Sequence, residues 1–464
     1  MALTASNTDS PLPTGSPARF HRAWIILAIL SVVQIIGQAI GMSAGIMVTT
    51  LNDADGGFDW NLGVIGAAIA VYFLVGALTS PIAGMIGDRY GARPIMFVCG
   101  ILYLVSMLLV GLVTELWHFF LFFGVLLSIT QALAMVPLLA SIGGWFRHRL
   151  GLVTGILWAS GGVGAAVLAP VVARLLEDVG WRDTFWSIGL VGGGLLLVLS
   201  LFFRSKPSDI GLRPYGARQN DPPEIVRSRE VDRLRLKVFS QHMRRTRAFW
   251  NLPTIHGLGC AGHGIILIYS IPLAYEQGIS LTAASFILAF ISIFSIIGRF
   301  IAPIMAERIG GKPIMMASLF IQGLTVLVLF WAQDAWMFYL FGVLFGLGFG
   351  GEMSAYLVVN RQYFGSGPLA TFYGIEIMGA MMGHAVATVL GGLAIYVTGS
   401  FNPALVLSMA FSLAGVLVIM NLESSAQVLI PDWEDSLPPE ARAGPVATRE
   451  AATRAALIEG VTGD

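Results

Sequence analysis

The chain has 464 residues, of which 56% are hydrophobic and only 12% charged, and its mean hydropathy is +0.78. Soluble domains carry roughly twice that share of charge, so the polar side chains are too few to cover soluble domains of this total length. The 27 Lys and Arg balance 27 Asp and Glu, which leaves no basic footprint for nucleic acid, and two cysteines, Cys99 and Cys260, exclude a disulfide framework or a four-cysteine zinc site.

A membrane-spanning helix needs about 20 mostly apolar residues. Such runs are predicted over 22–50, 61–87, 93–113, 116–144, 149–177 and 183–204, then over 249–275, 281–306, 313–332, 335–363, 367–397 and 401–422. The expected fold class is an all-α polytopic membrane protein whose twelve transmembrane helices form two pseudo-symmetric six-helix bundles. The segments are a tail (1–21), an N-terminal bundle (22–204), a linker (205–248), a C-terminal bundle (249–422) and a second tail (423–464). Residues 1–20 lack a basic region followed by a short apolar stretch and a cleavage site, so the first span is expected to be retained. The linker begins with the Pro- and Gly-rich "KPSDIGLRPYGARQNDPPE" and reads as irregular; its later part, "EIVRSREVDRLRLKVFSQHMRRTR", can form a surface helix. The second tail reads as polar and mobile.

With twelve spans, every Lys and Arg except Arg174, Arg182 and Arg299 falls on the side shared by the two termini. The opposite loops carry Asp53, Asp55, Asp59, Glu115, Glu276 and Asp334. Positive charge stays inside, so both termini are expected in the cytoplasm of a cell whose plasma membrane (the inner membrane in a bacterium) holds the chain.

The halves repeat. "FGVL" at 123–126 returns at 341–344, Trp145-Phe146 maps onto Tyr363-Phe364, and Gly155 and Gly164 map onto Gly374 and Gly383. "GMIGDRYGARP" (84–94) maps onto "PIMAERIGGKP" (303–313). Duplicated six-helix units typify transporters whose substrate site lies between the repeats near mid-membrane.

Gly84, Asp88, Arg89, Gly91 and Arg93 resemble the signature loop of the major facilitator superfamily, and Pro303, Glu307, Arg308, Gly310 and Lys312 form a weaker second copy. An acid and a base at such a turn can pin neighbouring helix ends in one state and release them in another, which makes Gly84, Asp88, Arg89, Gly91, Arg93, Glu307 and Arg308 the expected gate. "WFRHRLGLVTGILWASGGVGAAVLAPVV" (145–172), "GWRDTFW" (180–186), "GFDWNLG" before the second span and "FSIIGR" (294–299) are similar to the monocarboxylate and oxalate–formate transporters. The resemblance covers about 22–422 and implies a carrier working by alternating access.

Arg299 is a charge inside a span, which is costly and by default functional. The resemblance implies that it binds the substrate carboxylate, whose two oxygens match the planar guanidinium. Ser295 stands where animal-type relatives have an aspartate, and the lysines that the family places in helices 1 and 11 are missing. One fixed cation favours a monoanion. Gln34 and Gln38, one turn apart, are candidate hydrogen-bonding partners for it. Glu352, Glu376, His263 and His384 are candidate proton carriers, with His256 on the same face as His263; each could instead be an interhelical hydrogen bond. The glycine runs at 160–164 and 346–351 lie within apolar helices and are packing sites, not nucleotide loops.

No cofactor, metal or nucleic acid is expected, and the HExxH metalloprotease and Walker motifs of enzymes are missing. The expected partners are a small organic anion, a proton by symport, and the bilayer. Two alternatives stay open: a copper importer of the same fold using Met378, Met381, Met382 and His384, and a non-transporting receptor.

Overall fold

The computed structural model describes residues 21–51, 60, 62–217, 228–365, 367–425 and 427–442. The expectations on 1–20, on Asp53, Asp55 and Asp59, on 218–227 and on 443–464 lie outside these residues.

The apolar runs form helices α1 (Arg22–Leu51), α2 (Leu62–Tyr90), α3 (Ala92–Gly111) and α4 (Leu116–Trp145). The run Leu150–Phe202 follows, divided at Gly180 into α5 and α6. After it come α7 (Arg229–Met243) in the linker, α8 (Arg247–Glu276), α9 (Leu281–Ile309), α10 (Gly311–Phe330), α11 (Ala335–Phe364), α12 (Ala370–Thr398) and α13 (Asn402–Met420). All of these except α7 are membrane helices: eleven meet the length and hydropathy of a span within the described residues, and α1 is the twelfth. The gap expected over 178–182 shrinks to one non-helical residue, Gly180, with φ 79°. Glycine takes that conformation without a Cβ clash, so the chain can turn within a single position. Gly91 (φ 79°) and Gly310 (φ 96°) make the matching turns after α2 and α9.

Within the N-terminal bundle α3 packs on α6 and α1 on α5; within the C-terminal bundle α11 packs on α9 and α12 on α8. The bundles meet along α2 with α12 and along α5 with α9. Asp88, Glu307 and the chain at 145–149 and 367–369 lie at one end of this seam, called here the basic face.

The start of the second tail is not loose. Ile430, Trp433, Leu437 and Ala441 are buried. Trp433 meets the Phe239 ring of α7 edge-on at 4.9 Å, and Arg235 lies over the Trp433 ring and pairs with Glu434. The apolar stripe of α7 needs a cover, and apolar residues spaced through an otherwise polar tail supply it.

Candidate functional site

In the C-terminal bundle, α9 and α11 approach so closely that a Cβ on Gly350 would lie 2.1 Å from the Ser295 carbonyl oxygen. This contact carries Arg299 over the Phe349 ring, 5.3 Å from its centroid. The Arg299 Nε is buried without a hydrogen-bond partner. Ser295 is 3% exposed and donates to the Ser292 carbonyl of its own helix (2.8 Å). Glu307 lies against the start of α5 and is not bound to Arg299.

Glu352, a candidate proton carrier from the sequence, has partners. Its Oε1 accepts from the Tyr356 hydroxyl one turn away (2.8 Å), and its Oε2 stands 3.9 Å from His263 Nδ1. Gly259 opens the space on α8 that the carboxyl fills. His263 also meets the Phe349 ring at 4.5 Å and the His384 ring at 5.1 Å. Arg299 and His263 therefore both lie against Phe349, and His263 joins this pair to Glu352 and His384. Glu376 is apart: its Oε2 accepts from Asn360 Nδ2 (2.6 Å), and it lies about 9 Å along α12 from the basic-face end. His256 stacks on Tyr356 at 4.0 Å.

The N-terminal bundle presents neutral amides. Gln34 is 1% exposed and neither amide atom is bonded. Gln38 lies beside Gly161 of α5. Gln131 of α4, overlooked in the sequence although a mid-span amide is the same signal as Gln34, has an unbonded oxygen and lies by Gly37. Gly162 abuts Ile296 of α9, one turn from Arg299, and Phe73 of α2 stacks on His384 at 5.3 Å. Both contacts cross the seam, the first three residues from Arg299 and the second at His384 itself.

Toward the basic face the seam closes. Asp88 accepts from Thr371 N (2.8 Å), Thr371 Oγ1 (2.6 Å) and Ala370 N (3.3 Å) at the start of α12. Glu307 accepts from Leu150 N (3.0 Å) and Gly151 N (2.8 Å) at the start of α5. Each carboxylate satisfies amides that a helix start leaves without partners, at the positive end of the helix dipole. A Cβ on Gly84 would lie 2.3 Å from the Ala370 oxygen and one on Gly151 2.3 Å from the Pro303 oxygen, so the backbones touch directly. Arg89 lies over the Tyr90 ring, and Arg93 and Arg308 are exposed.

The methionines of α12 have separate surroundings where they are described. Met381 turns to Gly76 of α2, and Met382 is 43% exposed. A different soft group forms instead: donor atoms of Cys260, His263 and His384 lie within 4.8 Å of one another, with Met353 Sδ 4.0 Å from Cys260 Sγ.

Twelve helices in two bundles, with buried charge at the level where the bundles meet, define a polytopic membrane protein of the transporter class. The family model of the Major Facilitator Superfamily matches residues 27–302 and 258–459, and the chain belongs to that superfamily. Within it the chain is similar to human monocarboxylate transporter 11 (24% identity, 90% of this chain and 86% of the relative). Monocarboxylate transporter 12 of Mus musculus (24%; 76% and 77%) and monocarboxylate transporter 13 of Rattus norvegicus (25%; 74% and 76%) are similar too. Among solved structures, the proton:xylose symporter XylE bound to 6-bromo-6-deoxy-D-glucose shares the fold, with a TM-score of 0.68 at 12% identity over 88% of this chain and 97% of that one.

Proposed function

We propose that this chain is a secondary transporter that moves a small organic monoanion together with a proton. Arg299 holds the carboxylate, and Gln34, Gln38 and Gln131 face the rest of the substrate. The supporting observation is a buried guanidinium nitrogen without a partner, next to an apolar ring. The relatives named as monocarboxylate transporters agree with such a cargo.

Charge balance links the anion to the proton. On this reading an ionised Glu352 offsets the Arg299 cation when the site is empty. A carboxylate on Arg299 leaves Glu352 as excess negative charge in a medium of low dielectric, and a proton on Glu352 or His263 removes it. The loaded bundle then moves without net added charge. Asp88 and Glu307 hold the basic face shut in the state described, and releasing both lets the bundles rock to the other state. The basic face is the cytosolic one by its Lys and Arg, the termini lie there, and the chain sits in the plasma membrane or bacterial inner membrane.

Uptake of short monocarboxylates into proteoliposomes, with and without an imposed proton gradient, tests this. Arg299→Ala is expected to lower substrate affinity about ten- to a hundredfold through loss of a charge-assisted hydrogen bond, with the protein still folded in detergent. Wild-type affinity in that variant would overturn the assignment. A second reading has one observation behind it: Cys260, His263, His384 and Met353 are donors suited to a soft metal such as Cu(I) as cargo. Metal-dependent uptake that Cys260→Ser abolishes would select it.

A further inference from the structure

The segment after the sixth membrane helix and the segment after the twelfth make the same contacts. In the N-terminal bundle, Trp145 Nε1 donates to the Arg204 carbonyl (3.2 Å), and Tyr215 N donates to the Trp145 carbonyl (2.8 Å). In the C-terminal bundle, the Tyr363 hydroxyl donates to the Glu423 carbonyl (2.7 Å), and Leu429 N donates to the Tyr363 carbonyl (2.7 Å). Trp145 and Tyr363 are repeat partners. Ser205 Oγ accepts from Arg93 N (2.9 Å) and lies 2.9 Å from where a Gly91 Cβ would be, and Ser425 Oγ lies 2.6 Å from the corresponding point on Gly310.

Each segment therefore straps together two parts of its own bundle. One is the turn just after the carboxylate: Gly91 after Asp88, Gly310 after Glu307. The other is the chain just before the helix start that receives the opposite bundle's carboxylate: 145–147 before Leu150, Tyr363 before Ala370. Arg147 N adds a bond to the Tyr215 carbonyl (2.9 Å), and Arg149, at φ 63°, is a left-handed non-glycine residue directly before Leu150. Such a conformation persists where the surroundings over-determine it. Lys206 of the first strap is close enough for its charge to act on Asp88.

We infer that 204–216 and 423–430 are two copies of one positioning device, which sets the spacing between each bundle's carboxylate turn and its receiving helix start, and so stabilises the state closed at the basic face. The inference rests on Asp88 and Glu307 acting as the gate. Because the two contacts are crossed between the bundles, both must be in register at once, and a strap within each bundle is what keeps them so.

Trp145→Phe and Tyr363→Phe each delete one strap bond while keeping an aromatic ring. Spin labels at Phe202→Cys and Met420→Cys, both exposed at the basic-face ends of α6 and α13, report opening of that face in nanodiscs; the native Cys99 and Cys260 are buried. Each variant is expected to raise the open population about two- to tenfold, the equivalent of one hydrogen bond, with substrate affinity of the closed state retained. Adding either change to Asp88→Asn should give little further opening. Unchanged opening in both variants, or a fall in thermal stability with no shift in population, overturns the inference. Failure of the gate reading looks different: Asp88→Asn itself would then leave the population unmoved.

Discussion

The two bundles share a scaffold and differ in what they bury. The interior of the N-terminal bundle is apolar with neutral partners, among them Gln34, Gln131, and the pair Ser106 and Thr130 at 3.2 Å. The C-terminal bundle surrounds Arg299, Glu352, Glu376, His256 and His263. The contacts across the seam are, by contrast, nearly symmetric: Asp88 on the start of α12 answers Glu307 on the start of α5. Duplication has thus kept the contacts across the seam in pairs, while the buried ionisable groups named above lie in one half. On the function proposed, the neutral amides of one bundle would orient the ligand and the charged groups of the other would neutralise it.

Removing an ionisable group from the charged half gives the largest test of this contrast after Arg299. With a gradient of about one pH unit, coupling to one proton supports about tenfold accumulation, because one unit is worth about 1.4 kcal/mol. Glu352→Gln is expected to bring accumulation down to equilibration while counterflow exchange continues. Uphill uptake retained in that variant would move the proton to His263 or Glu376.

The paired contacts give a smaller effect that tests the symmetry itself. Asp88 accepts three hydrogen bonds and Glu307 two. Carboxylate–amide bonds at a helix start are worth on the order of 1 kcal/mol overall at a half-exposed site. Asp88→Asn should therefore slow turnover more than Glu307→Gln, and neither should weaken substrate binding much. Turnover rates and substrate-induced thermal shifts of the two variants separate these outcomes; parallel loss of binding and transport would show that the contacts hold the site, not the gate.

Much of this architecture is legible in the residues. Span limits follow from hydropathy, and the repeat places Glu307 opposite Asp88 before any coordinates are known. The partner of Glu352 is not legible, because spacing along α11 tells which face the carboxyl occupies but not which helix lies across from it; His263 is on α8. Nor is the docking of 427–442, whose apolar residues only make sense once the stripe of α7 is seen. The surroundings of the α12 methionines are not legible either: Met381 lies against Gly76 of α2 while Met382 is exposed.

The smallest effect concerns the neutral wall. Gln34 buries an amide whose donor and acceptor are both unbonded, an arrangement that costs about 1–3 kcal/mol relative to a satisfied or apolar side chain. Leucine is of similar size, so Gln34→Leu fills the site with little repacking. If the amide is held for a substrate oxygen, the ligand-free variant should be more stable by about 1 kcal/mol and melt a few degrees higher, while a hydroxylated or carbonyl-bearing monocarboxylate stabilises it less than wild type. An alkyl monocarboxylate, which has nothing to offer the amide, should stabilise both proteins alike. The same substitution at Gln38, which is half-buried and has less desolvation to recover, should raise the melting temperature less. Stability that falls on Gln34→Leu would mean that the amide is bonded in the membrane by a structural partner, and the N-terminal bundle would then be a scaffold that shapes the site without touching the substrate.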